Sequence, residues 1–236
     1  MGKEYAVIVV GGGHAGCEAA LAAARLGCKT LLITMNLDTI AQMSCNPAIG
    51  GPAAKSHLVR EIDALGGQMA KVIDQTYLNI RMLNLSRGPA VHALRAQADK
   101  VKYRAVMTKT LESELNLSVR QGVVTKILVD DGVVYGVQLK TGTKTTSDTV
   151  ILATGTFLRG EVVIGPVRYP GGRQGEPSAE ELSQSLIGSG LKLSRFQTAT
   201  PPRVHADSVD YEKLTCQRGS DTPLRFSFDT PLVARE

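Results

Sequence analysis

An α/β fold arranged around a parallel sheet is predicted by three features at the start of the chain. Tyr5-Ala6-Val7-Ile8-Val9-Val10 is an unbroken β-prone run, the pattern of a strand covered on both faces. Residues 14–26 are rich in Ala, Leu and Glu and read as a helix that Gly27 stops. Residues 29–34 form a second apolar strand, which completes a compact βαβ unit.

The turn between the first strand and the helix is Gly11-x-Gly13-x-x-Gly16. In such a turn Gly11 allows the sharp bend, Gly13 lets a pyrophosphate approach the backbone, and Gly16 lets helix and strand pack closely. The helix N-terminus supplies unpaired N–H groups and a favourable dipole for the anion. Placed after a strand and before a helix, the motif points to dinucleotide binding by Gly11, Gly12, Gly13, His14, Ala15 and Gly16. His14 reads as a residue that fills space beside the phosphates. The carboxylate usual at the end of the second strand is missing, and Thr34 stands there with Asn36 and Asp38 close behind. A threonine hydroxyl can bond a ribose less strongly than a carboxylate, so the ribose ligand stays open.

The remaining elements follow in order. Residues 35–55 read as a long loop, and 56–65 as a helix closed by Gly66-Gly67. A further helix is expected from Pro89, suited to a first turn, through Arg95, Lys100 and Arg104 toward Leu115. Residues 117–139 are strand-like, with Asp130-Asp131-Gly132 as a hairpin turn. Residues 149–153 form another buried strand. Residues 165–177 are a Gly/Pro-rich loop, and 178–186 a short helix with Ser178 and Glu181 at capping-box spacing. Periodicity is lost after Pro201-Pro202-Arg203, which divides the chain into residues 1–203 and the start of an inserted domain at 204–236. The stop at Glu236 without a terminal element suggests a fragment.

Composition narrows the class. The 236 residues, 43% hydrophobic, suit one large domain or one and a half small ones. No apolar stretch reaches the roughly 18 residues of a membrane span, and no signal segment opens the chain. A cytoplasmic protein is expected. Cys17, Cys28, Cys45 and Cys216 are widely spaced, with no C-x-x-C pair, which argues against a zinc site or a disulfide-reductase pair. No metal is expected. Cys17, Cys28 and Cys216 read as structural. The net charge of +5 permits an anionic partner without requiring one. Arg81, Arg87, Arg95, Lys100, Lys102 and Arg104 form a basic series, read as a solvated helix face or a contact to a nucleic-acid backbone.

Ala153-Thr154-Gly155 closes a strand that follows a hairpin, and resembles the second short motif of two-dinucleotide-binding flavoproteins of the glutathione reductase type. That resemblance implies a Rossmann-like FAD-binding domain with an inserted β-hairpin or meander. Cys45 lies in the Gly/Pro-rich loop Met43-Ser44-Cys45-Asn46-Pro47-Ala48-Ile49-Gly50-Gly51. Two readings stand for it: a packed thiol, or a nucleophile whose thiolate is favoured by Lys55 or a helix N-terminus.

That loop resembles the MnmG (GidA) family, FAD-dependent enzymes that modify the wobble uridine of tRNA. So do Leu58-Val59-Arg60-Glu61-Ile62-Asp63-Ala64-Leu65-Gly66-Gly67, Arg81-Met82-Leu83-Asn84, Leu94-Arg95-Ala96-Gln97-Ala98-Asp99-Lys100, Thr154-Gly155-Thr156-Phe157-Leu158-Arg159-Gly160 and Thr200-Pro201-Pro202-Arg203. The family pattern is broken at residues 51–56, one residue longer here, and at Gln197 and Ala199, which replace lysine and glycine. The resemblance implies addition of a carboxymethylaminomethyl or aminomethyl group to C5 of uridine, with FAD, NADH and methylenetetrahydrofolate. It also implies the GTPase MnmE as partner, a homodimer, Cys45 as a catalytic residue, and FAD contacts at Val124, Ala153, Thr154, Gly155 and Ser178. The chain would cover about the first two-fifths of such an enzyme. Addition to C6 of the uracil falls to Cys45, to a second family cysteine beyond residue 236, or is replaced by a methylene carried on the flavin. Two other functions stay open: a folate/FAD-dependent tRNA uracil methyltransferase, and a non-catalytic FAD- or tRNA-binding fragment.

Overall fold

The computed structural model describes residues 2–232. In chain order, the first half holds β1 (Tyr5–Val10), α1 (His14–Arg25), β2 (Thr30–Thr34), β3 (Ala48–Gly50), α2 (Lys55–Ala64), α3 (Met69–Thr76), β4 (Tyr77–Leu83) and β5 (Ala93–Ala98). The second half holds α4 (Lys100–Ser113), β6 (Leu117–Gln121), β7 (Val124–Asp130), β8 (Val133–Leu139), β9 (Lys144–Leu152), β10 (Glu161–Ile164), β11 (Val167–Pro170) and α5 (Glu180–Gly188). The chain forms two compact units, Met1–Gln42 with Arg104–Phe196, and Met43–Tyr103 with Gln197–Glu236. This division follows packing.

The first unit is a six-stranded sheet in the order β6-β2-β1-β9-β8-β7. β6, β2, β1 and β9 run parallel, as the buried runs at residues 5–10 and 29–34 predict. β7 and β8 are the expected hairpin, with Asp131 and Gly132 both at positive φ (44° and 76°) in its turn. β9 carries the chain from this meander into the parallel sheet: Lys144 to Thr146 pair antiparallel with β8, and Ser147 to Leu152 pair with β1. Ile8, Val10, Leu31, Ile33, Val124, Val137, Leu139, Leu182 and Leu186 form one core cluster. α5 contributes the last two of these from above β7.

The second unit is a three-stranded antiparallel sheet, β3-β5-β4, with α2 and α3 and the irregular chain 197–232. Here the structure corrects the sequence reading most. The helix expected from Pro89 to Leu115 is a single 3-10 turn at Pro89–Val91, then strand β5, then α4. Ala93–Ala98 has a helix-forming composition, yet Leu94, Ala96 and Ala98 are buried while Arg95 and Gln97 are exposed. That period of two suits a central strand, and pairing on both edges overrides propensity. Asp99 then caps α4, its carboxylate accepting from the N–H groups of Val101 and Lys102. The basic series is accordingly divided among β4, a turn, β5 and α4 rather than lying on one helix face.

Smaller differences follow the same logic. The 35–55 loop contains a 3-10 turn at Leu37–Thr39 and the short strand β3. The 165–177 loop opens with part of the β10–β11 hairpin, turning at Gly165-Pro166. Residues 149–153 are less buried than expected: Leu152 is 37% exposed. Ser178 does not cap α5, whose N-cap is Ala179. The Ser178 hydroxyl donates to the Phe157 carbonyl (3.3 Å) instead.

Candidate functional site

The glycine turn owes its form to close backbone approaches. Gly11 sits at φ +111°, and a Cβ there would lie 2.3 Å from the Ala153 carbonyl oxygen. A Cβ at Gly16 would lie 1.7 Å from the Gly11 carbonyl oxygen, and one at Gly12 2.9 Å from Thr34 Oγ1. The strand C-termini are joined here by hydrogen bonds from Gly11 N–H to Ile33 (2.8 Å) and from Ala153 N–H to Val10 (2.8 Å). The structure therefore brings together Gly11, Gly12, Gly16, Thr34 and Ala153, with Thr154 and Gly155 continuing from β9. Gly13 differs. It is the N-cap of α1, exposed, and a Cβ on it would meet nothing within 4 Å. The motif's one glycine with no steric need inside the protein faces open space at a helix N-terminus, where an anion is favoured. This cradle fits a dinucleotide pyrophosphate.

His14 begins α1. Its pKa is held below the ordinary 6.5, first by burial and then by the Arg173 guanidinium, so the imidazole is neutral near pH 7. Arg173 was not singled out from sequence. It lies 159 positions away, carries a hydrogen-bonded ion pair with Glu176 (2.8 Å) and sits over the Phe157 ring. Thr34 is buried, and its hydroxyl donates to the Asn36 carbonyl (3.3 Å). Asn36 in turn accepts the Asp38 N–H. Val124 and Ser178, far apart in sequence, line one small cavity of about 70 Å³ with Lys140 and Glu181. Cys17 is buried against the turn, donating to the Gly12 carbonyl at 3.6 Å. Burial first, then Glu18, push its thiol up to about 12. It is a packing residue.

Cys45 belongs to the second unit. It is half-buried, and its Sγ donates to the Ala199 carbonyl at 3.4 Å. Arg203 Nη2 donates to the carbonyls of Ser44 (2.9 Å) and Cys45 (3.3 Å). The cysteine loop is thus held by the Thr200-Pro201-Pro202-Arg203 block. Because Ala199 takes part through its carbonyl, the alanine there leaves this contact intact. On the other side of β3, Ala53 and Ala54 adopt left-handed conformations (φ 59° and 63°) immediately before α2.

The chain 225–230 is fastened into the same unit by carboxylates that sequence reading passed over. Asp74 is buried and accepts the N–H groups of Phe226 and Ser227, each at 2.8 Å. Asp63 accepts the Phe228 N–H (2.9 Å), and Arg60 donates to the Arg225 carbonyl (2.9 Å). Phe226 is fully buried. No local sequence pattern marks Asp63 or Asp74, since each lies on a helix and pairs with backbone more than 150 positions away. Among the described residues there is no cluster able to hold a metal ion, and no helix is long and apolar enough to cross a membrane.

The parallel sheet with its glycine turn and the inserted meander define a Rossmann-like α/β protein of the dinucleotide-binding class. Within that class the chain belongs to the family described as Glucose inhibited division protein A (GIDA), whose model matches residues 6–236. It is 55% identical over 97% of its length to the tRNA uridine 5-carboxymethylaminomethyl modification enzyme MnmG of Geobacillus thermodenitrificans, and 54% identical over 99% to that of Geotalea uraniireducens. It spans 36% and 37% of those two proteins. The solved structure of Aquifex aeolicus GidA superposes with a TM-score of 0.92 at 50% identity, covering 97% of this chain and 38% of that one. A GidA-related protein from Thermus thermophilus shares the fold at a TM-score of 0.57 and 23% identity, covering 78% of this chain and 68% of that one.

Proposed function

We propose that this chain is the FAD-binding part of an enzyme that adds a carboxymethylaminomethyl or aminomethyl group to C5 of the wobble uridine in tRNA. The observation that carries the cofactor half of this reading is Gly13, open at the N-terminus of α1 while its neighbours are packed. The tRNA-modifying activity for which the relatives are named carries the substrate half. When bound, FAD supplies hydride transfer, with NADH as its reductant and methylenetetrahydrofolate as the one-carbon donor. Residues 1–203 are proposed as the FAD-binding domain and 204–236 as the start of an inserted substrate or nicotinamide domain. The GTPase MnmE, a homodimer and a cytoplasmic location belong to the same reading.

In this reading the chain's residues divide the work. Gly11 to Gly16 receive the pyrophosphate, and His14 packs beside it. Thr34 lies where a ribose would be met, Ala153 to Gly155 line the opposite strand end, and Val124 with Ser178 form a further contact. Cys45, once its proton has left, adds Sγ to C6 of the uracil. The C5–C6 π pair moves onto C5 and O4, which makes C5 nucleophilic. After C5 has been substituted, loss of its proton expels the thiolate and restores the double bond.

Titration of the purified protein with FAD tests the cofactor half. Wild type is expected to take up flavin, and Gly13→Val to lose at least ~10-fold in affinity, about 1.4 kcal/mol, at nearly unchanged stability. Uptake unaffected by Gly13→Val overturns the placement. For Cys45, a uridine stem-loop carrying 5-fluorouridine should trap a covalent adduct that survives denaturing electrophoresis. An adduct that persists in Cys45→Ser removes the proposed role.

A further inference from the structure

We propose that Arg81 and Arg95 form a clamp for a single oxyanion, a phosphate or carboxylate group, on the polar face of the β3-β5-β4 sheet. The register makes the case first. Arg81 on β4 lies directly opposite Arg95 on β5, and Asn79 directly opposite Gln97. Residues facing each other across an antiparallel pair have Cβ atoms about 4.5–5.5 Å apart, and like charges there repel. Among the described residues neither arginine belongs to an ion pair. Nε of Arg81 is buried without a hydrogen-bond partner. An unshared pair of guanidinium groups with a buried unused donor is costly in the free protein, and one bidentate oxyanion removes both costs together.

The surroundings are shaped for such a group. Asn79, Arg81, Arg95 and Gln97 line a cleft of about 120 Å³ together with Gln217. That is below the usual size of a small-molecule pocket, about 300 Å³ or more, and suits one charged group rather than a dinucleotide. On the opposite face of the same strands Ile80, Leu94 and Ala96 are buried, so the polar residues are the outward half of a period-two pattern. The third strand brings only Ala48 opposite Gln97 and Gly50 opposite Arg95, which leaves the floor low. The rim is fixed: Ser220 N–H donates to the Ile80 carbonyl (2.9 Å), which holds the segment carrying Gln217 along the edge of β4.

β3 also begins three residues after Cys45, and the Pro47 carbonyl accepts the Ala98 N–H (2.7 Å). From Cys45 to Gly50, beside Arg95, the chain reaches at most ~17 Å at ~3.3 Å per residue. A substrate held by its anionic group in the clamp could therefore extend to the thiol. That last step rests on the proposed function; the clamp itself does not.

Thermal melting of the chain at constant ionic strength, with and without millimolar inorganic phosphate, tests the clamp. Phosphate is expected to raise the wild-type Tm. The rise should vanish in Arg95→Gln and Arg81→Gln and persist in Arg87→Gln, whose exposed side chain lies outside the cleft. Without phosphate, Arg95→Gln should melt above wild type, because it removes the repulsion. That opposite-signed pair of effects is one a merely structural arginine does not produce. A phosphate shift that is missing in wild type, or equal in all four proteins, overturns the proposal. The source of the oxyanion is read with a uridine-containing RNA stem-loop. A tenfold weaker binding by Arg95→Gln, with a salt slope smaller by about one, assigns the clamp to a phosphodiester. Unchanged RNA binding alongside a lost phosphate shift assigns it to a free small oxyanion.

Discussion

The glycine turn of the first unit and the cysteine loop of the second both hold exposed backbone in a defined shape, and they do so by opposite means. At the turn, the decisive contacts lie within six residues or across adjacent strand ends: Gly16 against Gly11, Gly11 against Ala153. Sterics alone choose the residue type. At the cysteine loop the holding groups come from 154 to 159 positions away, through the Ala199 carbonyl and the Arg203 guanidinium. Within the loop itself the Ala48 N–H donates to the Asn46 carbonyl (2.8 Å), a local bond beside these distant ones. The Gly16–Gly11 approach can be read from a short window, whereas the Gly11–Ala153 approach and the fastening of the cysteine loop exist only once the chain is folded.

Three substitutions probe that contrast, in falling order of effect. Gly16→Val drives a side chain into the Gly11 carbonyl, where even a Cβ would stand at 1.7 Å. We expect a loss above ~3 kcal/mol, beyond ordinary overpacking, measured as a fall in the urea midpoint; an unchanged midpoint means that the turn can open. Asp74→Ala strands the buried N–H groups of Phe226 and Ser227. At ~1–3 kcal/mol for each of the two unsatisfied donors, about 2–6 kcal/mol should be lost, and amide exchange should rise first at residues 225–229. Protection there equal to wild type refutes the role given to Asp74.

The smallest effect is on pH dependence. His14 is neutral in the fold, with its pKa lowered from 6.5 by burial and by Arg173. The unfolded chain therefore takes up a proton near pH 6.5 that the folded chain does not. The associated stability is fully present above pH 6.5 and is lost as pH falls from there through the lowered folded pKa. His14→Gln should flatten that slope in a series of denaturation curves between pH 5 and 7.5. An identical slope assigns the dependence to other groups.

Legibility in the sequence follows the same line. The βαβ start and the Asp131-Gly132 hairpin were readable because apolar period and turn chemistry agree there, whereas Ala153 was singled out only by resemblance of its motif. Ala93–Ala98 misled because its alanines favour helix while its burial alternates, and only its two strand neighbours decide between them. α3 and β4 went unread between Gly67 and Pro89. The fastening of residues 225–230 had no local signature, since a buried carboxylate bonded to distant main chain looks like any helical aspartate. Arg173 beside His14 was hidden for the same reason of distance.

The carboxylates of Asp63 and Asp74 also set a clock. Their backbone partners are 165 and 152 positions downstream. At a synthesis rate of ~5–20 residues per second, each waits roughly 8–30 s on the ribosome before the peptide groups it must bind have been made. Through that interval both acids stay hydrated and α2 and α3 lack their final covering. The completion of the second unit is therefore timed by the arrival of Phe226, Ser227 and Phe228 rather than by the helices that receive them.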